Sequence, residues 1–149
     1  MAEGAGNTLT ILVVEDDPAV AELMRTLLNR VPGWGATVVH DAAAAREVFR
    51  HVHVEALVVD VDLPGISGLE LLELLRRDPQ WRDPPAILVS AHPGQPGIQA
   101  AVERGDVVQF ISKPFDVDDL IKAVRSATAG SPTAAPLGGS SASRGGSRA

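Results

Sequence analysis

The sequence predicts an α/β fold in which a parallel five-stranded sheet carries helices on both faces. Short apolar runs typical of buried strands alternate with segments whose apolar residues recur at helical spacing. Polar residues end four of these runs, at intervals that fit one or two strand–helix units of roughly 20 to 30 residues. Hydrophobic residues make up 45% of the 149 residues, which suffices for the core of one domain. Strict alternation predicts a doubly wound sheet, because right-handed crossovers place helices on both faces.

The composition narrows the classes of function. The net charge of -6 argues against direct nucleic-acid binding, because no basic stripe is present to neutralise phosphates. The absence of cysteine excludes a disulfide framework and thiol chemistry. The sequence has neither a signal-peptide pattern nor an apolar run of about 20 residues. We therefore expect a cytoplasmic protein that does not insert into a membrane.

The first strand–helix unit is clearly marked. The apolar run at residues 9–14 predicts a strand, and Asp17 is expected to cap the helix that Pro18 begins. Pro32 and Gly33 are expected to end this helix. Its predicted apolar face consists of Val20, Leu23, Met24, Leu27 and Leu28.

The second unit is marked less strongly. Residues 35–40 predict a strand, and Asp41 is expected to cap a helix that runs through Val52. The apolar residues Ala44, Val48 and Val52, spaced four apart, predict the buried face of this helix.

The last three units each combine an apolar run with a helix signal. Ser67 and Glu70 form a capping-box pattern at the start of the third helix. The fourth helix is predicted over residues 97–104 and is closed by Gly105, and the fifth begins at Asp116. The apolar runs that precede these helices are residues 56–59, 86–89 and 107–112.

Charged and polar residues follow the ends of separate strand-like runs. Asp60 lies 44 residues after Asp16, and Ser90 lies 30 residues after Asp60. Lys113 follows Ser90 by 23 residues, and Glu15 precedes Asp16 directly. In an open parallel sheet the residues at the carboxyl ends of the strands converge on one crevice. Carboxylates, a hydroxyl and an ammonium should therefore meet in a site for a metal ion and a phosphoryl group.

Four segments, in this order and at this spacing, carry a family resemblance. They are residues 11–18 (ILVVEDDP), 58–68 (VVDVDLPGISG), 87–91 (ILVSA) and 111–115 (ISKPF). Over about residues 8–127 the chain resembles the response-regulator receiver domain of bacterial two-component signalling. The resemblance implies a flavodoxin-like sheet with strand order 2-1-3-4-5.

The resemblance implies roles for the residues at the strand ends. Asp60 would be the phosphoacceptor, and Lys113 would pair with Asp60 and with the phosphoryl oxygens. Mg²⁺ would be held by Glu15, Asp16, Asp60 and the backbone carbonyl of Asp62, a ligand set that suits this cation. Asp17 would cap the helix outside the metal's ligand shell, and the family has a cis peptide at the Lys113–Pro114 position.

The resemblance also implies how a signal leaves the site. The hydroxyl of Ser90 would bond the phosphoryl group while Phe110 turns inward, and the surface of the fourth helix, fifth strand and fifth helix would bind a target. Phe110 has no hydroxyl, so it would switch by packing alone. Asp62 and His92 stand at positions that vary in the family and border the path of the hydrolytic water. We expect these two residues to tune the lifetime of the phosphorylated state.

The predicted domain organisation is a flexible arm at residues 1–7, a receiver domain at 8–128 and a disordered tail at 129–149, rich in Gly, Ser, Ala and Pro. The expected function is that of a phosphoacceptor, not an enzyme beyond Mg²⁺-dependent self-phosphorylation and autodephosphorylation. The expected partners are a histidine kinase or phosphotransfer protein and a downstream protein, and a phosphorylation-dependent homodimer is left open.

Two alternatives remain at this point. A pseudo-receiver would bind partners independently of phosphorylation, but it usually lacks an acidic, acceptor or lysine residue, and none is lost here. A Mg²⁺-dependent phosphatase of the haloacid-dehalogenase type would use an Asp-x-Asp motif such as Asp60 and Asp62. Those enzymes carry the motif on the first strand, whereas here it falls on the third.

Overall fold

The computed structural model describes residues 8–81 and 83–129, which form alternating strands and helices. The predicted arm at 1–7 and the tail from residue 130 onward lie outside the described residues, so both remain predictions. The strands are β1 (Leu9–Val14), β2 (Trp34–Val39), β3 (Ala56–Asp60), β4 (Ala86–Ser90) and β5 (Gln109–Ser112). The helices are α1 (Pro18–Asn29), α2 (Ala42–His51), α3 (Gly68–Arg77), α4 (Pro96–Arg104) and α5 (Val117–Thr128).

All four strand pairings are parallel, and the strand order is β2-β1-β3-β4-β5. The predicted doubly wound sheet and its order are therefore confirmed. The chain starts in β1, moves outward to β2, and then crosses to β3 on the other side of β1. In folds of this topology, ligands bind at the carboxyl ends of the strands where the order reverses, here β1 and β3.

Side chains alternate between two hydrophobic cores because successive strand residues point to opposite faces of the sheet. Leu12, Val14 and Val59 belong to the core beneath α2, α3 and α4. Ile11 and Val58 belong to the core beneath α1 and α5. Strands β3 and β4 are buried along their whole length, as expected for central strands covered on both faces.

The predicted helix starts are confirmed at α1 and α3. Asp17 Oδ1 accepts hydrogen bonds from the backbone N–H groups of Ala19 (2.9 Å) and Val20 (3.3 Å). Ser67 and Glu70 form the reciprocal capping box predicted from their spacing. These contacts satisfy N–H groups that the first helical turn leaves without partners.

The predicted buried face of α2 is only partly right, because Val48 packs against the core but is not among the buried residues of the helix. Its buried residues are Ala42, Ala45 and Phe49, whereas Val52 follows the helix and is 42% exposed. Spacings of three and four both return to one helical face, and a spacing of four alone drifts toward the flank. Phe49 lies in the buried face of α2, and its ring packs against that of Trp81, with 5.8 Å between the ring centroids.

Two smaller predictions also need correction. Leu23 was expected in the apolar face of α1 and is 48% exposed. Strand β5 begins at Gln109, two residues after the start of the predicted run at 107–112. Val108, just before it, is 56% exposed. The predicted start of α5 is confirmed, since Asp116 is its N-cap, although the Asp116 side chain makes no capping hydrogen bond. Among the described residues, no helix has the length and apolar character required to cross a bilayer.

Gly68, the first residue of α3, lies against the end of β3. A Cβ atom at this position would be 2.3 Å from the Asp60 carbonyl oxygen and 2.7 Å from Val59 Cγ1. Its N–H also donates a 2.9 Å hydrogen bond to the Val61 carbonyl. Only glycine therefore lets α3 begin directly against the backbone of Asp60.

We predict that Gly68→Ala lowers the free energy of unfolding by about 1 to 3 kcal/mol, because the methyl group would displace the backbone of β3. Urea denaturation measures this change. Gly94→Ala is the matched control, since a Cβ at Gly94 meets nothing within 4 Å. A Gly68→Ala protein as stable as the control would contradict the close approach.

Candidate functional site

The predicted site residues meet at the carboxyl edge of the sheet. Glu15 and Asp16 follow β1, Asp60 is the last residue of β3, and Ser90 is the last residue of β4. Lys113 follows β5, and its peptide bond to Pro114 is cis, as the family pattern implies. The convergence predicted from the strand ends is therefore present in the tertiary structure.

A single ammonium group joins two buried carboxylates at this edge. Lys113 Nζ lies 3.1 Å from Asp60 Oδ2 and 3.0 Å from Glu15 Oε1. The Glu15 and Asp60 side chains are 1% and 3% exposed. Carboxylates buried to this extent need compensating charge. Lys113 supplies one positive charge, so the pair of acids is under-compensated whenever both carboxyl groups are ionised.

The acidic cluster has the donor chemistry of a divalent-cation site. Carboxylate oxygens of Glu15, Asp16 and Asp60 lie within 4.8 Å of one another. Glu15 Oε1 is buried and, although Lys113 Nζ is nearby, accepts no hydrogen bond. Hard carboxylate oxygens are the ligands that Mg²⁺ prefers, and Asp16 is exposed, which leaves room for retained waters. The residues present therefore fit a Mg²⁺ ion.

The pKa values in the cluster reflect burial and mutual contact. Burial raises the pKa of Glu15 to about 7, and the neighbouring Asp60 carboxylate adds to the rise. The Lys113 ammonium and the backbone N–H of Asp17 act in the opposite direction on the pKa of Glu15. Burial alone would lower the pKa of Lys113, but its contacts with Glu15 and Asp60 outweigh burial and raise it. Lys113 therefore stays a cation at neutral pH.

The second oxygen of Asp60 is held by backbone. Asp60 Oδ1 accepts a 3.0 Å hydrogen bond from the N–H of Asp62. The Asp62 carboxylate faces outward, and its Oδ2 lies 3.5 Å from His92 Nδ1. Asp62 and His92 thus form a contact between the loops that follow β3 and β4, beside the carboxyl edge of the sheet. Nothing in the sequence predicts that Asp62 and His92 contact each other.

Ser90 and Phe110 lie on the neighbouring strands β4 and β5, and the switching roles that the resemblance implies for them stay predictions. Ser90 is fully buried, and its Oγ accepts a 2.9 Å hydrogen bond from the His92 N–H. Phe110 pairs with Leu88 in the β4–β5 register and packs, half-buried, on the core beneath α2, α3 and α4. Side chains two residues apart on a strand share a face, so Ser90 and Phe110 lie on the same side of the sheet.

Two residues that shape the site carry no clear signal of this role in the sequence. Gly68 brings the start of α3 against Asp60, as described above, and the sequence suggested no more than a helix start there. His40, at the end of β2, places Nδ1 2.9 Å from the backbone carbonyl oxygen of Glu15. No sequence signal marked His40, because a lone histidine after a strand is compatible with many surface roles.

Comparison with known proteins gives a consistent family. The response regulator receiver domain model matches residues 11–125. The probable transcriptional regulatory protein TcrX of Mycobacterium tuberculosis is 31% identical over 126 residues, which cover 84% of this chain and 52% of TcrX. The chain thus spans about half the length of that relative.

Two further relatives match over nearly their whole length. The polar-differentiation response regulator DivK of Brucella ovis is 29% identical over 119 residues, 80% of this chain and 95% of DivK. The crystal structure of a putative response regulator from Chloroflexus aurantiacus is 27% identical, with a TM-score of 0.71 over 82% of this chain and 98% of that one. By its family match, its fold and the residues at its sheet edge, this chain belongs to the response regulator receiver domain family of two-component signalling.

Proposed function

We propose that the chain is a phosphoacceptor whose Asp60 receives a phosphoryl group from a histidine kinase or phosphotransfer protein. The observation that carries the proposal is the buried Asp60 carboxylate, held by Lys113 Nζ on one oxygen and the Asp62 N–H on the other. Both contacts fix the carboxylate's orientation while solvent is largely excluded. Positioning and charge neutralisation are the main requirements of phosphoryl transfer, so a weak nucleophile suffices.

Glu15, Asp16, Asp60 and the backbone carbonyl of Asp62 would hold the Mg²⁺ ion. When bound, Mg²⁺ would supply positive charge to the phosphoryl oxygens and to the crowded carboxylates. Lys113 would supply the second positive charge, and it already lies between the two buried acids. A phosphoryl group on Asp60 would give Lys113 and the Ser90 hydroxyl new acceptor oxygens to bond.

Output would pass through the surface of α4, β5 and α5. Phosphorylation adds charge and acceptor oxygens that bias a two-state element. We propose that Ser90 moves toward the phosphoryl group and that Phe110, which is only half-buried, packs further inward. The surface that would respond exposes Val102 on α4, Val108 before β5 and Val117 on α5, which are apolar contacts for a downstream protein.

The same site argues against a phosphorylation-independent pseudo-receiver. The acceptor Asp60, the paired acids Glu15 and Asp16, and Lys113 are all present and assembled within contact distance. A module that bound partners constitutively would have no need of this buried, charge-rich cluster, which is costly to fold.

We predict that the parent protein gains one phosphoryl group on incubation with Mg²⁺ and acetyl phosphate, and that Asp60→Asn gains none. Intact mass spectrometry measures both. Asp118→Asn, at an exposed carboxylate in the first turn of α5, is the matched control and should be phosphorylated like the parent. A folded parent that binds Mg²⁺ but gains no phosphoryl group would favour the pseudo-receiver.

We predict that Mg²⁺ affinity falls about tenfold between about pH 8 and about pH 6, since protonation of Glu15 at a pKa of about 7 competes with the metal. The sign follows because only the ionised carboxylate is a ligand, and its population declines as pH falls. Isothermal titration of the parent at several pH values measures this dependence. Glu15→Gln should bind Mg²⁺ more weakly at high pH and lose most of the pH dependence. If the Mg²⁺ affinity of Glu15→Gln fell with pH as steeply as that of the parent, another group would be responsible.

We predict that Asp62→Asn slows loss of the phosphoryl group about three- to tenfold. The carboxylate can accept a hydrogen bond from an attacking water more strongly than an amide can. The decay of phosphorylated protein, followed by mass after removal of donor, measures the rate. Glu47→Gln, an exposed change on α2, is the control. A decay rate unchanged in Asp62→Asn would remove Asp62 from the set of residues that tune lifetime.

A further inference from the structure

His40 lies beside the backbone of Glu15, at the point where β2 leaves the sheet. Its Nδ1 is 2.9 Å from the Glu15 carbonyl oxygen. A carbonyl oxygen only accepts hydrogen bonds, so Nδ1 must carry the proton and donate. The hydrogen bond therefore requires a proton on Nδ1, which in a neutral imidazole is the Nδ1–H tautomer.

The contact continues the pairing of β1 and β2 beyond the last strand residue. Val14 pairs with Val39, and the Glu15 N–H donates a 3.0 Å hydrogen bond to the Val39 carbonyl. The next bond of a parallel ladder would run from the N–H of Asp41 to the Glu15 carbonyl. Asp41 is instead the N-cap of α2, where its side chain accepts from the Ala44 N–H at 2.8 Å.

The imidazole of His40 thus takes the place of the Asp41 N–H as the donor to the Glu15 carbonyl. The two strand-end bonds, through Val39 and His40, hold both backbone polar groups of Glu15. The Glu15 side chain, in turn, accepts a 3.1 Å hydrogen bond from the Asp17 N–H through Oε2. The remaining oxygen, Oε1, is left facing Lys113 without a hydrogen bond.

We propose that His40 is a positioning residue that fixes the Glu15 backbone through Nδ1–H, so that the buried carboxylate is presented to the metal. The effect on Mg²⁺ binding rests on the proposed Mg²⁺ site. The geometry rests only on the hydrogen bonds of the Glu15 backbone with His40 and Val39. Side chains that orient metal ligands without touching the metal commonly set its affinity. Here the orienting bond is made to the ligand's backbone.

The tautomer of His40 tests the contact directly. In metal-free protein at about pH 8, a long-range ¹⁵N–¹H imidazole spectrum should show His40 as the Nδ1–H form. Free neutral histidine prefers the other tautomer, so this signature is specific to the hydrogen bond. An Nε2–H form of His40 would overturn the inference whatever the protein does with Mg²⁺.

Substitution tests the positioning role. His40→Ala should speed amide hydrogen exchange at Glu15 in metal-free protein and weaken Mg²⁺ binding about fivefold, as expected for one lost hydrogen bond. His40→Asn should restore slow exchange at Glu15 and the Mg²⁺ affinity of the parent, because its side-chain N–H can occupy the place of Nδ1–H. His53→Ala, at a side chain 85% exposed before β3, is the matched control.

The outcomes separate this inference from the proposed function. A parent protein that fails to bind Mg²⁺ would contradict the metal site, while exchange at Glu15 would still decide on the His40 contact. A parent that binds Mg²⁺, with His40→Ala binding equally tightly and exchanging no faster, would overturn the positioning role. The positioning role would also be overturned if His40→Asn restored neither slow exchange at Glu15 nor Mg²⁺ affinity. The effect of His40→Ala would then be general destabilisation.

Discussion

The contact of Lys113 with two buried carboxylates is the interaction on which the rest of the site depends. Burying an ionised carboxylate without a partner costs several kcal/mol, and Glu15 and Asp60 are both almost fully buried. One ammonium cannot neutralise two acids, so the cluster retains affinity for further positive charge. In the proposed function, Lys113 and a metal ion would share the negative charge of the carboxylates and of the phosphoryl group.

The parallel sheet brings the residues of this contact together at one edge. Parallel pairing of β1, β3, β4 and β5 brings residues that are far apart in sequence to one edge. Gly68 then lets α3 begin against Asp60, and His40 extends the pairing at β2 where the backbone turns into α2. These two residues contact the backbone of the site rather than its carboxylates, and neither residue type signals such a contact in the sequence.

Much of this architecture could be predicted from the sequence because its signals are local. Asp17 before Pro18 and Ser67 before Glu70 mark helix starts through contacts within one turn. The apolar runs of β1, β3 and β4 are continuous because those strands are covered on both faces. In α2, alanines and valines lie on several faces, so the pattern does not identify the buried one. The structure buries the face that contains Phe49.

The sequence by itself determined the strand and helix order, the identity of the acidic, hydroxyl and lysine residues at the strand ends, and the family they resemble. Only the tertiary structure decided which of these residues touch. The shared contact of Lys113 with Glu15 and Asp60, the Asp62–His92 pair and the His40 bond each join residues from separate strand ends or loops. Sequence spacing fixes the edge at which such groups arrive, but distances of a few ångströms depend on rotamers and backbone turns that only packing sets.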